Sequence, residues 1–362
     1  MTQQGPARIG IIGTGLMGKV HAECYRAHSN ARIAMIASRS EDNARQAAEK
    51  LGAAGWTTDW KALIHSEGVD AVDITAPNHL HREMALEAAL AGKPFLIEKP
   101  LATTVADADA IIDRADDKGV TGVYGENMRF APAAVQARSI IEQGGIGDVI
   151  LLRTTEVNAG PFHSDWFWDA EKAGGGTVID NGVHGLYLLE WMAGARIKRV
   201  YAELGILKWF QHCKSGTEDS GLVTLRFENG AIAELLNSWA VASGRDVRTE
   251  IYGTAGTIHL DQARQEAGML VYSQEGYGPA ADPAARQRPQ GLASRGWHFP
   301  TPDARRMHGH AYLIEHFLDV VLNGSKPICT LREGRRVLQL VEAIYESGRS
   351  GKAVELTSGG QA

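Results

Sequence analysis

Three groups of residues in this 362-residue chain have types and spacings suited to chemistry. The first is Gly13-Thr14-Gly15-Leu16-Met17-Gly18, a G-x-G-x-x-G between an apolar run and a helical pattern. Glycine at these points lets the chain turn tightly and bring bare backbone up to a pyrophosphate, which then rests on the positive end of the next helix. The second is Glu98-Lys99-Pro100. Its ammonium can donate to a substrate oxygen and would lose basicity beside an oxidised nicotinamide, itself cationic. The third is the Gly-rich stretch Gly174 to His184, in which Asp180 precedes His184 by four residues. On a helix the two share a face that Leu188 and Trp191 continue, so they point into the protein, at the gap between two domains. Imidazole has the ordinary pKa that suits proton transfer near neutrality. By residue type alone, Asp180 equally fits a helix N-cap, His184 a satisfied core histidine and Lys99 a solvated surface charge.

These groups need a scaffold that gathers strand ends. The short apolar runs Arg8 to Ile12, Arg32 to Ala37, Val69 to Thr75, Pro94 to Ile97 and Val120 to Tyr124 alternate with longer helical patterns. Strands so far apart cannot pair as hairpins, and right-handed crossovers make them one parallel sheet covered on both faces. An α/β Rossmann domain with a doubly wound parallel sheet is therefore expected over residues 1–126. After Asn127 a helix opens at Pro132 and runs to Gly144. Longer strand-like stretches follow at Val149 to Val157, Val200 to Leu207, Gly221 to Phe227, Ala231 to Trp239 and Val247 to Tyr252. Asn229-Gly230 accepts the positive φ of a hairpin turn. Residues 127–362 should thus form an α+β domain with an open, mostly antiparallel sheet and helices on one face. Helices near Gly309 to Leu322 and Leu331 to Ser347 close the chain, and residues 276–308, rich in Pro, Gly and Arg, read as a long lid or interface loop.

Ligands of a parallel sheet bind at its carboxyl edge. The loops expected there supply the candidate cofactor contacts: Gly13, Gly15, Leu16, Met17 and Gly18, then Ser38 and Arg39, then Thr75, Pro77, Asn78 and His81, and finally Glu98 and Lys99. Where a carboxylate would hold the ribose 2′-hydroxyl of NAD stands Ala37-Ser38-Arg39-Ser40. No acid there repels a 2′-phosphate, and Ser38 and Arg39 can hold one, so NAD or NADP is expected with a lean to NADP. Arg39 stacked on the adenine, or Glu41 or Asp42 on the ribose, would admit NAD as well. The run Pro161 to Asp169 offers His163, Asp165, Trp166 and Trp168 as substrate contacts, because an indole face packs on the C–H face of a pyranose. The same run would also serve as a loop pinned by its own aromatics. Asn127 and Arg129 lie near the same cleft, and Arg129 suits a substrate carboxylate or phosphate.

Composition removes other classes. The 37 basic and 43 acidic residues leave a net charge of -6 with no long like-charge run, which disfavours a nucleic-acid partner. A 44% hydrophobic, 22% charged chain is globular, not disordered. Cys24, Cys213 and Cys329 are far apart, so no disulfide framework is expected, and the H-x-H pairs His79/His81 and His308/His310 lack partners at ligand spacing, so no metal is expected either. MTQQGPAR has no apolar leader and no 18-residue apolar run follows, which leads us to expect a soluble, cytoplasmic protein without a membrane partner.

Taken together, Gly13 to Gly18, Glu98-Lys99-Pro100 and the Gly-rich D-x-x-x-H of Asp180 and His184 resemble the Gfo/Idh/MocA family of oxidoreductases, named for glucose-fructose oxidoreductase and inositol dehydrogenase, over nearly the whole chain. The resemblance implies hydride transfer between nicotinamide C4 and a carbinol of a sugar, inositol or related polyol. It makes Lys99, Asp180 and His184 the catalytic set: His184 as base, Lys99 polarising the oxygen, Asp180 orienting the substrate or His184. It also implies homo-dimer or homo-tetramer contacts through the second-domain sheet. Two other readings stay open. One is redox-neutral glycoside processing by a retained NAD, with oxidation at C3, elimination of the aglycone and His163 as a further base. The other is a dinucleotide-sensing regulator, whose mark would be loss of Lys99 or His184; both are present.

Overall fold

The computed structural model describes residues 5–214, 216–242, 244–262, 268–277, 295–300 and 309–356. The chain divides into two units, one of Met1–Asn127, Glu171–Gly174 and Gly309–Leu338, the other of Met128–Ala170, Gly175–His308 and Gln339–Ala362.

The first unit holds strands β1 (Ala7–Ile12), β2 (Ala31–Ala37), β3 (Gly55–Thr57), β4 (Ala71–Ile74), β5 (Phe95–Glu98) and β6 (Gly122–Gly125). They form one sheet in the order β3-β2-β1-β4-β5-β6, and every pairing is parallel. Order and direction are those of a doubly wound Rossmann sheet. Helices α1 (Leu16–Arg26), α2 (Glu41–Leu51), α3 (Trp60–His65), α4 (His81–Leu90) and α5 (Val105–Lys118) supply the crossovers. Their limits follow local chemistry. Ser40 caps α2 by accepting from Asn43 N, Ala44, Ala47, Ala48 and Leu51 bury one stripe, and Gly52 ends the helix in the left-handed region. The edge strand β3 was not among the expected strands: three residues with an exposed Trp56 give no apolar run to detect.

Residues 309–338 group with the first unit. Here α9 (His310–Asn323) packs on α1, and the start of α10 (Leu331–Ser350) follows an antiparallel bridge between Val123 and Thr330. Tyr124 N donates to Cys329 O at 3.0 Å, and Arg332 pairs with Asp116 of α5 at 2.8 Å. Such long-range contacts leave no periodic trace in the sequence.

The second unit opens with α6 (Pro132–Glu142), whose proline sits where a missing N–H costs nothing. Its sheet contains β7 (Val149–Val157), β8 (Ile197–Gly205), β9 (Ser220–Phe227), β10 (Ile232–Ser238), β11 (Asp246–Gly253), β12 (Gly256–Asp261), β13 (Met269–Ser273), β14 (Gly296–His298) and β15 (Val354–Glu355), in the order β14-β13-β12-β11-β7-β10-β9-β8-β15. The β7–β10 pair is parallel and the other pairs are antiparallel. Gly230, with φ 91°, makes the β9–β10 turn. The short α7 (Ala170–Ala173) precedes the glycine run, and α8 (Val183–Ala193) lies against β7. One sheet face is buried through Leu152, Val223, Leu225, Ala233 and Leu235, while the other exposes Leu151, Leu222 and Ile232. Of the expected long loop at 276–308, residues 278–294 and 301–308 lie outside the described residues, and Gly296–His298 pairs with β13 as a strand. Among the described residues no helix is long and apolar enough to cross a membrane.

Candidate active site

At the end of β1 the chain turns on Gly13, whose φ of 114° suits glycine and whose Cβ would stand 2.6 Å from Thr75 O. A Cβ on Gly18 would lie 2.1 Å from Gly13 O, so α1 packs backbone to backbone on the turn. Gly15 is different. A Cβ there would meet nothing within 4 Å, and as N-cap of α1 it offers no side-chain bond to the first helical N–H groups. A tight turn, close helix packing and an open approach to a bare helix N-terminus are what a pyrophosphate requires, so these residues fit the dinucleotide that the fold implies. Leu16, 61% exposed, and half-buried Met17 open the helix. Thr75 Oγ1 donates to Ile12 O and Gly13 O at 3.1 and 3.2 Å, fixing the turn to β4. At the end of β2 the hydroxyls of Thr14 and Ser38 are 3.1 Å apart, and Arg39 is exposed.

The ends of β4 and β5 are pinned from below. Asn78 Nδ2, following half-buried Pro77, donates to Ala173 O at 2.8 Å. Buried His81 has one ring nitrogen 2.8 Å from Ala76 O and the other 2.8 Å from Pro100 O, so it ties the two loops together. Lys99 is half-buried where β5 ends, and its backbone N donates to Glu98 Oε2 at 3.1 Å. Glu98 Oε1 in turn stands 3.0 Å from His21 Nε2, and His21 Nδ1 lies 2.9 Å from Asp73 Oδ2. Burial opposes charge on His21, yet Asp73 and Glu98 outweigh it and raise its pKa well above the ordinary histidine value. Burial likewise pushes Glu98 up, and His21 reverses this and holds the carboxyl below its usual range.

In the second unit Gly175 and Gly176 are glycines by necessity. Cβ atoms there would stand 2.0 Å from Tyr345 Oη and 1.9 Å from Glu218 O. Glu218 accepts from Gly176 N at 3.0 Å, Val178 N at 2.8 Å and Tyr345 Oη at 3.2 Å. Burial nevertheless pushes Glu218 up to about 7, against those hydrogen bonds. The segment that follows is not the regular helix expected from sequence. Val178–Gly182 form a π-helical turn, and α8 begins at Val183. Half-buried Asp180 lies in that turn and His184, 7% exposed, in the first turn of α8. Irregular π turns of this kind often mark functional positions, and Gly182 permits this one, since a Cβ would meet Asn237 Oδ1 at 2.7 Å.

The aromatic run separates into two roles. Trp168 is buried among Phe162, Trp209, His212 and Trp239, with ring centroids 5.1 to 6.3 Å from it. Trp166 stacks on Phe167 at 3.8 Å, and His163 and Asp165 are exposed. The Arg129 guanidinium lies over the Trp191 ring at 3.7 Å, and Asn127 is buried. His21, Asp73, Glu218 and Tyr345 were not among the expected site residues. Their partners are distant in sequence, and the only local hint is a histidine inside an otherwise apolar stripe of α1.

Residues 7–126 match the family model described as an oxidoreductase family with an NAD-binding Rossmann fold, and residues 134–259 match the GFO/IDH/MocA C-terminal domain. The myo-inositol 2-dehydrogenase of Thermotoga maritima is 31% identical over 267 residues, 74% of this chain and 79% of that protein. Among solved structures, GenD2 from gentamicin A biosynthesis, in complex with NAD, superposes with a TM-score of 0.83 at 28% identity, covering 99% of this chain and 98% of the other. Levoglucosan dehydrogenase with NADH and levoglucosan gives 0.82 at 27% identity, covering 97% and 99%.

Proposed function

The chain belongs to the Gfo/Idh/MocA family of NAD-binding oxidoreductases, and from that premise we propose that it oxidises or reduces a hydroxyl-bearing carbon of a sugar, inositol or related polyol. The observation that carries this reading is the Gly13–Gly18 turn, open at Gly15, on the same carboxyl edge of the sheet as Lys99, with only β4 between their strands. When bound, the nicotinamide accepts or returns a hydride at C4.

The chain's own residues do the rest. Lys99 donates to the reacting oxygen and stabilises negative charge as it develops there. His184 takes the hydroxyl proton while the C–H bond breaks, leaving a carbonyl, and gives it back in the reverse direction. Asp180 orients the hydroxyl or the imidazole. These three roles rest on the family motif at Lys99, Asp180 and His184. His163, Asp165 and Trp166 supply polar and stacking contacts to the sugar, Asn127 and Arg129 supply further contacts, and Trp168 holds its segment in place from within the aromatic cluster.

Three finer points belong to the same reading. Ser38 and exposed Arg39 end β2 with no carboxylate, a set that accepts the 2′-phosphate of NADP as well as NAD. The exposed sheet face bearing Leu151, Leu222 and Ile232 supports a homo-oligomer built through it. Among the described residues no disulfide joins Cys24, Cys213 and Cys329, in keeping with the cytoplasmic setting we propose.

The test is a 340 nm assay of the purified protein with NAD⁺ and NADP⁺ against free inositols, sugars and glycosides. Reduction of added cofactor by one polyol class supports the dehydrogenase. Nicotinamide released only on denaturation, with no net reduction by any free sugar, would move the assignment to redox-neutral glycoside processing.

A further inference from the structure

We propose that His21 is a positioning residue for Lys99: held between Asp73 and Glu98, it fixes the main chain at the Glu98–Lys99 step and couples the dinucleotide-binding helix to the reactive lysine. This rests on the assignment of Lys99 to the reaction. The chain of contacts is short. His21 lies on α1 a turn beyond Gly18 and has no solvent exposure. Nδ1 is 2.9 Å from Asp73 Oδ2 on β4, and Nε2 is 3.0 Å from Glu98 Oε1 on β5. The other Glu98 oxygen accepts the backbone N–H of Lys99 at 3.1 Å. So a single ring spans the helix that follows the glycine turn and the two strands whose ends bound the candidate site.

The chemistry of the ring makes the span rigid. A neutral imidazole has one N–H and can serve one carboxylate; two carboxylates on its two nitrogens call for both protons and a positive charge. Tyr25 on α1 faces Asp73, and the His310 ring of α9 stands 5.9 Å from His21. Both carboxylates are buried, so charge on His21, 3.0 Å from Oε1, favours an ionised Glu98 whose other oxygen accepts from Lys99 N. A neutral residue at 21 would free Glu98 to reorient and let the Lys99 backbone drift, and displacement of a reacting group by an ångström lowers turnover steeply.

The experiment is a double-mutant cycle on turnover, with dinucleotide affinity and thermal melting read on each protein. His21→Gln should lower kcat on the order of 10-fold to 100-fold while dinucleotide affinity changes little. In a Lys99→Ala background the same change should have almost no further effect, because the group it positions is gone. Equal losses in both backgrounds would mean that His21 acts through general structure, and the proposal would fall. If His21→Gln does not fold, Glu98→Gln is the second probe; it keeps an acceptor for Lys99 N, removes the ion pair, and should show the same coupling. Unchanged turnover in Lys99→Ala alone would sink the assignment of Lys99, a different failure. Because ligand atoms of His21, Glu98 and His310 lie within 4.8 Å of one another, elemental analysis completes the test. A stoichiometric divalent metal would replace the protonated ring and overturn the proposal; a metal-free, active enzyme supports it.

Discussion

A Cβ on Gly176 would stand 1.9 Å from the carbonyl oxygen of Glu218, so this glycine is what lets Glu218 close over the turn that carries Asp180. The carboxylate then accepts from Gly176 N and Val178 N, and Tyr345 Oη donates to it from α10. Two helices and a strand end thus meet on one buried acid. Glu218→Gln keeps one acceptor and turns an amide N–H₂ towards Gly176 N–H, donor against donor. It should cost about 1–3 kcal/mol of stability, read by chemical denaturation at pH 5.

The same residue gives a pH signature. Its folded pKa is raised to about 7 by burial, against an ordinary 4.5, so between these values the folded state holds the proton more tightly than the unfolded state. The stability it contributes is fully present below the ordinary value and is lost as pH rises through about 7. The gap in unfolding free energy between the wild type and Glu218→Gln should therefore narrow from pH 5 to pH 8. A gap that widens over that range would show that the carboxylate's hydrogen bonds outweigh its burial.

The glycines of the first turn separate folding from binding. Gly15→Ala adds a Cβ that meets no protein atom, so the melting temperature should stay close to wild type, yet the methyl enters the space left for a pyrophosphate. Dinucleotide affinity should fall at least about 10-fold, the equivalent of roughly 1.4 kcal/mol. Gly18→Ala drives its Cβ into Gly13 O and should lose both stability and binding. Calorimetric titration beside thermal melts distinguishes the two. Wild-type affinity in Gly15→Ala would remove the turn from the cofactor site.

How much of this was legible in sequence depends on the range of each contact. The doubly wound sheet and its glycine turn come from local signals: apolar runs such as Ile9 to Ile12, crossovers of helical pattern, and a motif whose first and last glycines, Gly13 and Gly18, each have a steric reason. Lys99, Asp180 and His184 were visible as a family motif. What the sequence hid was the support beneath them. His21 reaches Asp73 across 52 residues and Tyr345 reaches Glu218 across 127, and no periodicity links such positions. The π turn at Val178–Gly182 was hidden for another reason: it depends on Asn237 and Glu218 pressing on glycines from outside the segment. The start of α10 joins the first unit for the same reason, through a bridge at Thr330 that only the folded chain reveals.

The catalytic assignment makes a direct demand. Lys99→Ala and His184→Ala should each lower kcat at least about 100-fold and leave dinucleotide affinity nearly intact, since neither side chain is required to hold the pyrophosphate. Steady-state rates on the substrate found in the polyol panel, with cofactor affinity by fluorescence titration, decide it residue by residue. Full turnover in either variant would take that residue out of the reaction.

Cofactor choice turns on the end of β2. Arg39 is exposed, Ser38 shares a 3.1 Å hydroxyl contact with Thr14, and the acids nearest in sequence, Glu41 and Asp42, are exposed in the first turn of α2. A 2′-phosphate would be paired by the guanidinium, while a free 2′-hydroxyl gains little from it. NADP⁺ should therefore support turnover at least comparable with NAD⁺. Arg39→Ala should lower kcat/KM for NADP⁺ by about 10-fold, in keeping with loss of one charge-assisted contact, and change the value for NAD⁺ far less. An equal loss with both cofactors would place Arg39 over the adenine instead, and a wild type that ignores NADP⁺ would hand the ribose to one of the acids of α2.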